Sequence, residues 1–184
     1  MGIRINIGCG RTPTNGWLNL DNSPAIKLAR YTAVYMVANA LGFLSKPQLD
    51  NIEWNKKNKI KYADAAKKNP LPNSSAECIY SSHMAEHLSR DEITVFLREA
   101  FRVLEGEGVL RIAVPDLRIA IDKYLRVEDA DLFMKELLVS APAIKNWAQK
   151  IGLFFSGYRH HQWMYDGKSL EKLLASAGFT NVIV

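Results

Sequence analysis

Three successive runs of the sequence have the pattern of β-strands, and each is followed by glycines or by an acidic residue. Gly8, Cys9 and Gly10 follow the first run, Asp21 the second and Asp64 the third. Glycine lets the backbone adopt positive φ and approach a ligand closely. A carboxylate accepts hydrogen bonds from both hydroxyls of a ribose, or from an exocyclic amine such as that of adenine. Because ligands bind beyond the carboxyl ends of parallel strands, these residues together predict a cleft for an adenosyl group.

The histidines fall into two clusters, His83 with His87 and His160 with His161. Histidine is the usual side chain for moving a proton near neutral pH. His83 is the first candidate for a catalytic base, because it directly follows the fourth predicted strand. His161 is the second, because it lies on a loop that can cover a pocket. For His83 and His87 the alternative is a structural, hydrogen-bonded role.

The stretch HMAEH at residues 83–87 also matches an inverted zinc-protease pattern, in which two histidines four residues apart bind the metal. This stretch is only about one helical turn long, between a predicted strand and a helix cap at Ser89. The sequence offers no identifiable third ligand. We therefore predict no metal site.

Strand-like and helix-like segments alternate along the chain, which predicts a layered α/β fold with a mostly parallel sheet. Ligand-binding residues are then expected where strands end. Asp116, at the end of the fifth strand, is expected to cap a helix rather than to act as a base. The predicted strands are 3–7, 17–20, 59–62, 77–81, 109–114 and 181–184.

The clearest predicted helix spans residues 91–104, where apolar side chains recur on one face. Ser89 and Glu92 form a capping box at its start. Gly106 is expected to end the helix in a left-handed conformation. A second helix is predicted at 170–177, with Gly178 as its stop.

Two stretches of the chain are predicted to be helical insertions within one domain of residues 1–184. They lie at about 24–58 and 117–151, and the first is expected to be helical from about 25 to 41. Neither resembles an independent domain.

Composition places the chain among ordinary globular proteins. It has 184 residues, 48% of them hydrophobic, which suffices for one domain with a core. No secretory signal is visible, and the longest apolar segment, 31–44, is shorter than the roughly 20 residues of a spanning helix. Two cysteines cannot form a disulfide framework and suit a reducing compartment. These features predict a soluble, cytoplasmic protein with no membrane partner.

The net charge of +5 comes partly from lysines between residues 56 and 68. Such a cluster can attract an anionic substrate or a nucleic acid. These lysines lack interleaved aromatic residues and a nucleic-acid-binding motif. A solvated face is therefore favoured, and a nucleic-acid partner is not expected.

Taken together, these motifs resemble class I S-adenosylmethionine-dependent methyltransferases. The stretch LPNSSAECIYSSHMAEHL at 71–88 is similar to the strand-four signature of the family, and RVLEGEGVLRIAVPDL at 102–117 to its helix, glycine turn and strand five. The stretch HQWMYDGKSLEKLLASAGFTNVIV at 161–184 resembles the last helix and strand of a subgroup linked to small-molecule or saccharide modification. The resemblance covers nearly the whole chain.

The resemblance implies an open, doubly wound sheet with helices on both faces, and S-adenosylmethionine as methyl donor. It also assigns residues to the parts of that cofactor. Gly8, Cys9 and Gly10 face its methionine portion, Asp21 binds the ribose, Asp64 and Ala65 contact the adenine, and Ser81, Ser82 and His83 border the methyl group.

The chain departs from the family pattern at two places that matter for the fold. Between Gly10 and Gly16 there is no room for the usual first helix, because a parallel crossover takes roughly 10 to 12 residues or more. The first crossover is therefore expected to be shortened, without a helix N-terminus for the carboxylate of the cofactor. The family's sheet ends in a strand hairpin, so the C-terminal edge is expected to be incomplete at Val184.

A nicotinamide dinucleotide fold is the nearest rival for the glycine loop. Its fingerprint has a third glycine opening a helix and an acidic residue about 20 residues further on. Here Asp21 follows Gly10 too closely, and Gly16 leads directly into a strand. This rival is therefore disfavoured.

The sequence predicts a methyltransferase for an unidentified small-molecule or saccharide acceptor, methylated at oxygen. A second hypothesis is a non-catalytic module of the same fold that binds a nucleotide or a protein partner, favoured by the shortened crossover. A third, nucleic-acid methylation, rests only on the lysine cluster.

Overall fold

A parallel sheet runs through the computed structural model, which describes residues 2–140 and 160–184. Its described strands are β1 (Ile3–Ile7), β2 (Leu18–Asp21), β3 (Lys61–Tyr62), β4 (Ala76–Ser82) and β5 (Leu104–Ala113). They stand in the order β3-β2-β1-β4-β5, and every neighbouring pair is parallel. The order reverses between β1 and β4, which is the topological switch point of a doubly wound sheet. The expected open α/β fold is confirmed.

Helices flank the sheet and fill the connections between its strands. In the described ranges, no helix is long and apolar enough to cross a membrane. A single turn of 3₁₀-helix, the Ala85–His87 turn, follows β4. The helices are α1 (Pro24–Arg30), α2 (Thr32–Ala40), α3 (Lys46–Asn58), α4 (Arg90–Val103), α5 (Leu117–Val127), α6 (Ala130–Leu137) and α7 (Gly167–Ser176).

Helix α4 packs its apolar face on the sheet and forms the main core with it. The predicted capping box is confirmed: Ser89 Oγ accepts a hydrogen bond from the Glu92 backbone N–H, and the Glu92 side chain accepts one from the Ser89 N–H. Asp116 likewise caps α5, because its carboxylate accepts from the Arg118 N–H. The buried side chains of this core include Ile5, Ile7, Ile79, Ile93, Phe96, Leu97 and Val103.

The insertion between β2 and β3 contains more helix than its sequence predicts. The helical stretch expected from about 25 to 41 is present, interrupted at Tyr31 into α1 and α2. Helix α3 was not predicted, because it is polar and buries little more than Ile52 and Asn55. It is held by its own capping box at Ser45 and by packing against α1.

The end of α4 and the end of the chain both differ from expectation. Gly106 does not stop α4 in a left-handed conformation. The helix ends at Val103, and the extended Leu104 that follows begins β5 and pairs with Ala76 of β4. The predicted strand at 181–184 is also wrong. Ile183 is 94% exposed, so this segment buries little apolar side chain, and it pairs with no strand among the described residues.

The last helix begins three residues earlier than predicted, but it stops where expected. Gly178 has a φ of +97° just after α7, as expected for a glycine stop. The second insertion begins with α5 and α6, while its predicted part from 141 to 151 lies outside the described residues.

We predict that Ser89→Ala destabilises the protein by about 1 kcal/mol, because it removes the cap of α4 directly after the Ala85–His87 turn. The measurement is urea unfolding followed by circular dichroism. Thr94→Ala, on the exposed face of the same helix, is the matched control and is expected to change stability by less than about 0.5 kcal/mol. Equal losses in both variants would show that the capping box is not what stabilises this end.

Candidate functional site

A cavity of about 540 Å³ opens where β1 and β2 end. This volume lies within the roughly 300–1,000 Å³ typical of small-molecule and cofactor sites. The cavity lies at the switch point of the sheet, where the fold places ligands. Of the residues expected to form the site, Gly8, Gly10, Asp21, Ala65 and His83 line it, whereas Cys9, Asp64, Ser81, Ser82 and His161 are not among its lining residues.

The connection from β1 to β2, residues 8–17, is a loop without a helix, as its length predicts. Gly8, Gly10 and Gly16 have positive φ, at 69°, 49° and 77°. Such angles carry a steric cost for residues with a Cβ atom. The glycines therefore allow the chain to reach the adjacent parallel strand within this short loop.

Gly8 has a second constraint, imposed by Met84. A Cβ built on Gly8 would lie 2.5 Å from Cγ of Met84 and 2.7 Å from its Cβ, whereas one built on Gly10 would meet no atom within 4 Å. Met84 also lines the cavity. Gly8 is thus required by packing as well as by its φ, and Gly10 only by its φ.

Asp21 holds the two loops on either side of the cavity. Its Oδ2 accepts a hydrogen bond from the Gly10 N–H at 2.9 Å, and its Oδ1 accepts one from the Ser23 N–H at 2.8 Å. Each carboxylate oxygen has about two acceptor positions, so both can also accept a bond from a ligand hydroxyl. A carboxylate in this arrangement organises the glycine loop and lines the cavity.

Asp64 does not line the cavity, and its carboxylate contacts residues of its own loop. Its Oδ1 accepts from the Ala66 N–H at 3.1 Å, and its Oδ2 lies 3.3 Å from Lys67 Nζ. The neighbouring Ala63 and Ala65 line the cavity instead. The expected contact of an adenine with the Asp64 carboxylate therefore stays a prediction.

Three other expected residues lie behind the cavity wall. Cys9 is buried against Ile26 and Ile60, and burial, with a smaller contribution from Asp21, raises the pKa of its thiol to about 12. Ser81 is fully buried, and its hydroxyl has no hydrogen-bond partner in the described part of the chain. Ser82 ends β4 and is half-buried. Their expected cofactor contacts remain predictions.

Another part of the cavity wall comes from α3, within the insertion 24–58 that was expected to supply the acceptor pocket, but its individual lining residues were not predicted. Gln48, Asn51 and Asn55 line the cavity from one face of the helix. Asn55 is buried, and its amide nitrogen donates to the Asn51 carbonyl at 2.7 Å. The spacing of three amide side chains at i, i+3 and i+7 was the available signal.

His83 stands at the carboxyl end of β4, at the edge of the cavity. Its backbone has a φ of +51°, which is uncommon for a non-glycine residue, and its N–H donates to the Ala113 carbonyl at 3.0 Å. Its Nδ1 lies 3.3 Å from Oε1 of Glu86. The backbone and the carboxylate together orient this imidazole, whose side chain is 71% exposed.

Glu86 is a buried carboxylate in the Ala85–His87 turn. Only 1% of it is exposed, and its Oε1 lies 3.3 Å from His83 Nδ1 and 3.9 Å from His161 Nε2. Its Oε2 has no hydrogen-bond partner among residues 2–140 and 160–184. A buried carboxylate of this kind is expensive unless neighbouring groups compensate its charge.

The segment 160–163 brings His161 to this carboxylate. The Glu86 carbonyl accepts hydrogen bonds from the Gln162 and Trp163 N–H groups, at 2.8 and 3.2 Å. The His161 N–H donates to the Leu138 carbonyl at 2.9 Å. Burial lowers the pKa of His161, an effect that nearby His87 reinforces and Glu86 opposes.

Comparison with known proteins supports the same class of fold. Residues 22–184 match the sequence model of a methyltransferase domain. A structurally similar S-adenosylmethionine-dependent methyltransferase from Thermotoga maritima is 16% identical, with a TM-score of 0.55 over 98% of this chain and 65% of that chain. Another from Archaeoglobus fulgidus is 14% identical, with a TM-score of 0.51 over 98% and 62%.

The PH0226 protein of Pyrococcus horikoshii is 15% identical, with a TM-score of 0.52 over 95% of this chain and 72% of that chain. At such identities the likeness shows the fold alone. The chain spans less than two thirds of the Thermotoga and Archaeoglobus proteins. No curated protein sequence matches the chain.

We predict that Gly8→Ala costs at least about 2 kcal/mol of stability, because it adds a clash with Met84 to the strain of positive φ. Gly10→Ala is the matched control, since it shares the positive φ but faces open space, and about 1–2 kcal/mol is expected. Urea unfolding of both variants gives the difference. A Gly10→Ala loss as large as that of Gly8→Ala would contradict the role assigned to Met84.

Proposed function

Because the chain belongs to the methyltransferase-domain family, we propose that it transfers a methyl group from S-adenosylmethionine to an oxygen of a small-molecule or saccharide acceptor. The family follows the sequence prediction and is confirmed by the family match. Methyl transfer, S-adenosylmethionine as the donor, the acceptor and the methylated atom are the proposal. The observation that carries it is the cavity at the switch point, with the glycine loop and Asp21 on its wall.

The cofactor is proposed to lie with its ribose at Asp21 and its adenine near Ala65. The Asp21 carboxylate lines the cavity and keeps acceptor positions beyond its bonds to Gly10 and Ser23. Gly10 leaves open space in front of the backbone, which suits the methionine portion. Ser81, Ser82 and His83, at the end of β4, are proposed to border the methyl group.

Methyl transfer asks the protein mainly to align three atoms. The sulfonium is already activated, so the acceptor oxygen, the methyl carbon and the sulfur must be held in line while water is excluded. The oxygen attacks the methyl carbon as the carbon–sulfur bond breaks and its electrons return to sulfur. When the acceptor is a hydroxyl, its proton must pass to a base.

His83 is proposed as that base. It lines the cavity, and Glu86 contacts one of its ring nitrogens, which leaves the other for the acceptor. Glu86 would also compensate the positive charge that the imidazole gains. His161 was the second candidate for the catalytic base. Because it is buried and is not among the residues that line the cavity, we propose that it supports Glu86 instead.

The amides of α3 favour an acceptor that carries hydroxyls. Gln48, Asn51 and Asn55 line the cavity with side-chain amides, which carry donors and acceptors as hydroxyls do. Part of this capacity is used within the protein, because Asn55 Nδ2 donates to the Asn51 carbonyl and Gln48 Oε1 accepts from the Ser45 N–H. Such a wall suits a saccharide better than an apolar acceptor. We therefore propose that α3 contributes to acceptor selection.

The non-catalytic alternative is favoured by one observation, the loop that replaces the first helix. Titration calorimetry with S-adenosylmethionine and S-adenosylhomocysteine, followed by turnover assays with sugar, phenol and carboxylate acceptors, separates the two hypotheses. Binding without turnover of any acceptor would favour the alternative. A cytoplasmic location and the lack of a nucleic-acid partner stay predictions from composition.

We predict that Asp21→Asn weakens S-adenosylmethionine binding by about 10- to 100-fold, because charge-assisted hydrogen bonds to the ribose are lost. Calorimetry measures the dissociation constant. Asp50→Asn is the matched control, since that carboxylate is exposed on α3 and does not line the cavity, and a change below about 3-fold is expected. Unchanged affinity in Asp21→Asn would show that this carboxylate does not bind the cofactor.

We predict that His83→Gln leaves cofactor affinity unchanged and lowers turnover by about 100-fold or more, because general-base assistance is lost. The assay follows S-adenosylhomocysteine formation with the first acceptor that the panel identifies. His160→Gln, a histidine outside the cavity lining, is the control. Full activity of His83→Gln with a hydroxyl acceptor would exclude His83 as the base.

A further inference from the structure

Glu86, His87 and His161 form a cluster behind the cavity that the proposed reaction does not fully use. Their potential ligand atoms, one from each residue, all lie within 4.8 Å of one another. Glu86 and His161 are buried, and His87 is half-buried. We propose that this cluster binds one divalent transition-metal ion, with zinc as the expected ion.

Two unpartnered buried atoms support a ligand at this place. Glu86 Oε2 and His161 Nδ1 have no hydrogen-bond partner in the described part of the chain. Both residues are more than nine-tenths buried, at 1% and 7% exposure. Buried carboxylates are normally paired or coordinate a metal, and at this cluster the paired oxygen of Glu86 is Oε1 alone.

The surroundings of His87 supply a second line of support. Its Nδ1 lies 3.3 Å from the His160 carbonyl oxygen, which can only accept a hydrogen bond. This contact places the proton on Nδ1 and leaves a lone pair on Nε2. Metal-binding histidines are oriented in this way, by donating the other ring N–H to a carbonyl or carboxylate.

The donor set indicates which ion fits. Two imidazoles and one carboxylate are typical of zinc sites that keep a fourth position open, and nitrogen donors disfavour magnesium and calcium. Ligand atoms around tetrahedral zinc lie roughly 3.4 Å apart, so the longest separation in the cluster, at most 4.8 Å, would shorten by up to about 1.4 Å on binding. The main-chain bonds of Gln162 and Trp163 to Glu86 keep the backbones in place while the side chains turn.

This site lies beside the cavity but is distinct from the cofactor region. His87 is the residue that belongs to both, because it lines the cavity as well as the cluster. His83 is not part of the cluster; its Nδ1 contacts Oε1 of Glu86, and Oε2 is the unpartnered oxygen. No third ligand for the HMAEH stretch was identifiable from the sequence, because His161 follows far along the chain and comes near Glu86 and His87 only in the folded structure.

The test is metal binding by the full chain without a polyhistidine tag, after removal of metals with a chelator. Calorimetric titration with zinc is expected to show one equivalent, and cobalt is expected to give the visible absorption bands of a tetrahedral site. His161→Gln and Glu86→Gln should each weaken zinc binding by more than about 100-fold. Removing a residue that only orients a metal ligand typically weakens binding by roughly 10- to 100-fold, so a larger loss indicates direct coordination. His160→Gln, an adjacent imidazole outside the cluster, should retain wild-type affinity.

Failure of the wild-type protein to bind zinc with one-to-one stoichiometry would overturn the proposal, and so would wild-type affinity in His161→Gln. Circular dichroism will show whether Glu86→Gln folds. If it does not, the zinc affinity of His161→Gln and the cobalt spectrum of the wild type test the proposed metal site. None of these measurements uses cofactor or acceptor. A separate S-adenosylmethionine titration of the metal-free protein therefore shows whether the proposed methyltransferase function stands without the ion.

Discussion

The short parallel crossover from β1 to β2 is the constraint on which the site depends. Without a helix, the chain must leave one strand and enter its parallel neighbour within residues 8–17. Glycines with positive φ make that path accessible, and the Asp21 carboxylate fixes it by accepting from Gly10 and Ser23. The same carboxylate then lines the cavity, so the geometry of the loop and the binding of a ligand depend on one side chain.

Local sequence signals predicted the elements that carry their own stabilising pattern. Helix α4 was predicted because its apolar stripe and the Ser89 cap both lie within its own sequence. Helix α3 was missed because its stability comes from packing on α1 rather than from an apolar stripe. The prediction at Gly106 was wrong because a glycine after a helix can also lie in the strand that follows. Here the pairing of Leu104 with Ala76 starts that strand before Gly106.

The site was predictable where residues end strands and unpredictable where distant segments meet. Gly10 and Asp21 follow from the strand pattern, and both line the cavity. Asp64 follows the same rule, yet its carboxylate bonds its own loop, a choice that depends on local turn geometry. The approach of His161 to Glu86 leaves no local trace in the sequence, because it results from main-chain bonds formed by Gln162 and Trp163.

The Glu86 carbonyl receives two N–H groups from a segment that is remote in sequence. Contacts between such remote segments close large loops, and the entropy of closure makes them slow to form and easily opened on their own. Detachment of residues 160–163 would separate His161 from Glu86 while the strands stay paired. We therefore expect the histidine–carboxylate cluster to open as a subglobal unit, which amide hydrogen exchange at Gln162 and Trp163 would report independently of the sheet.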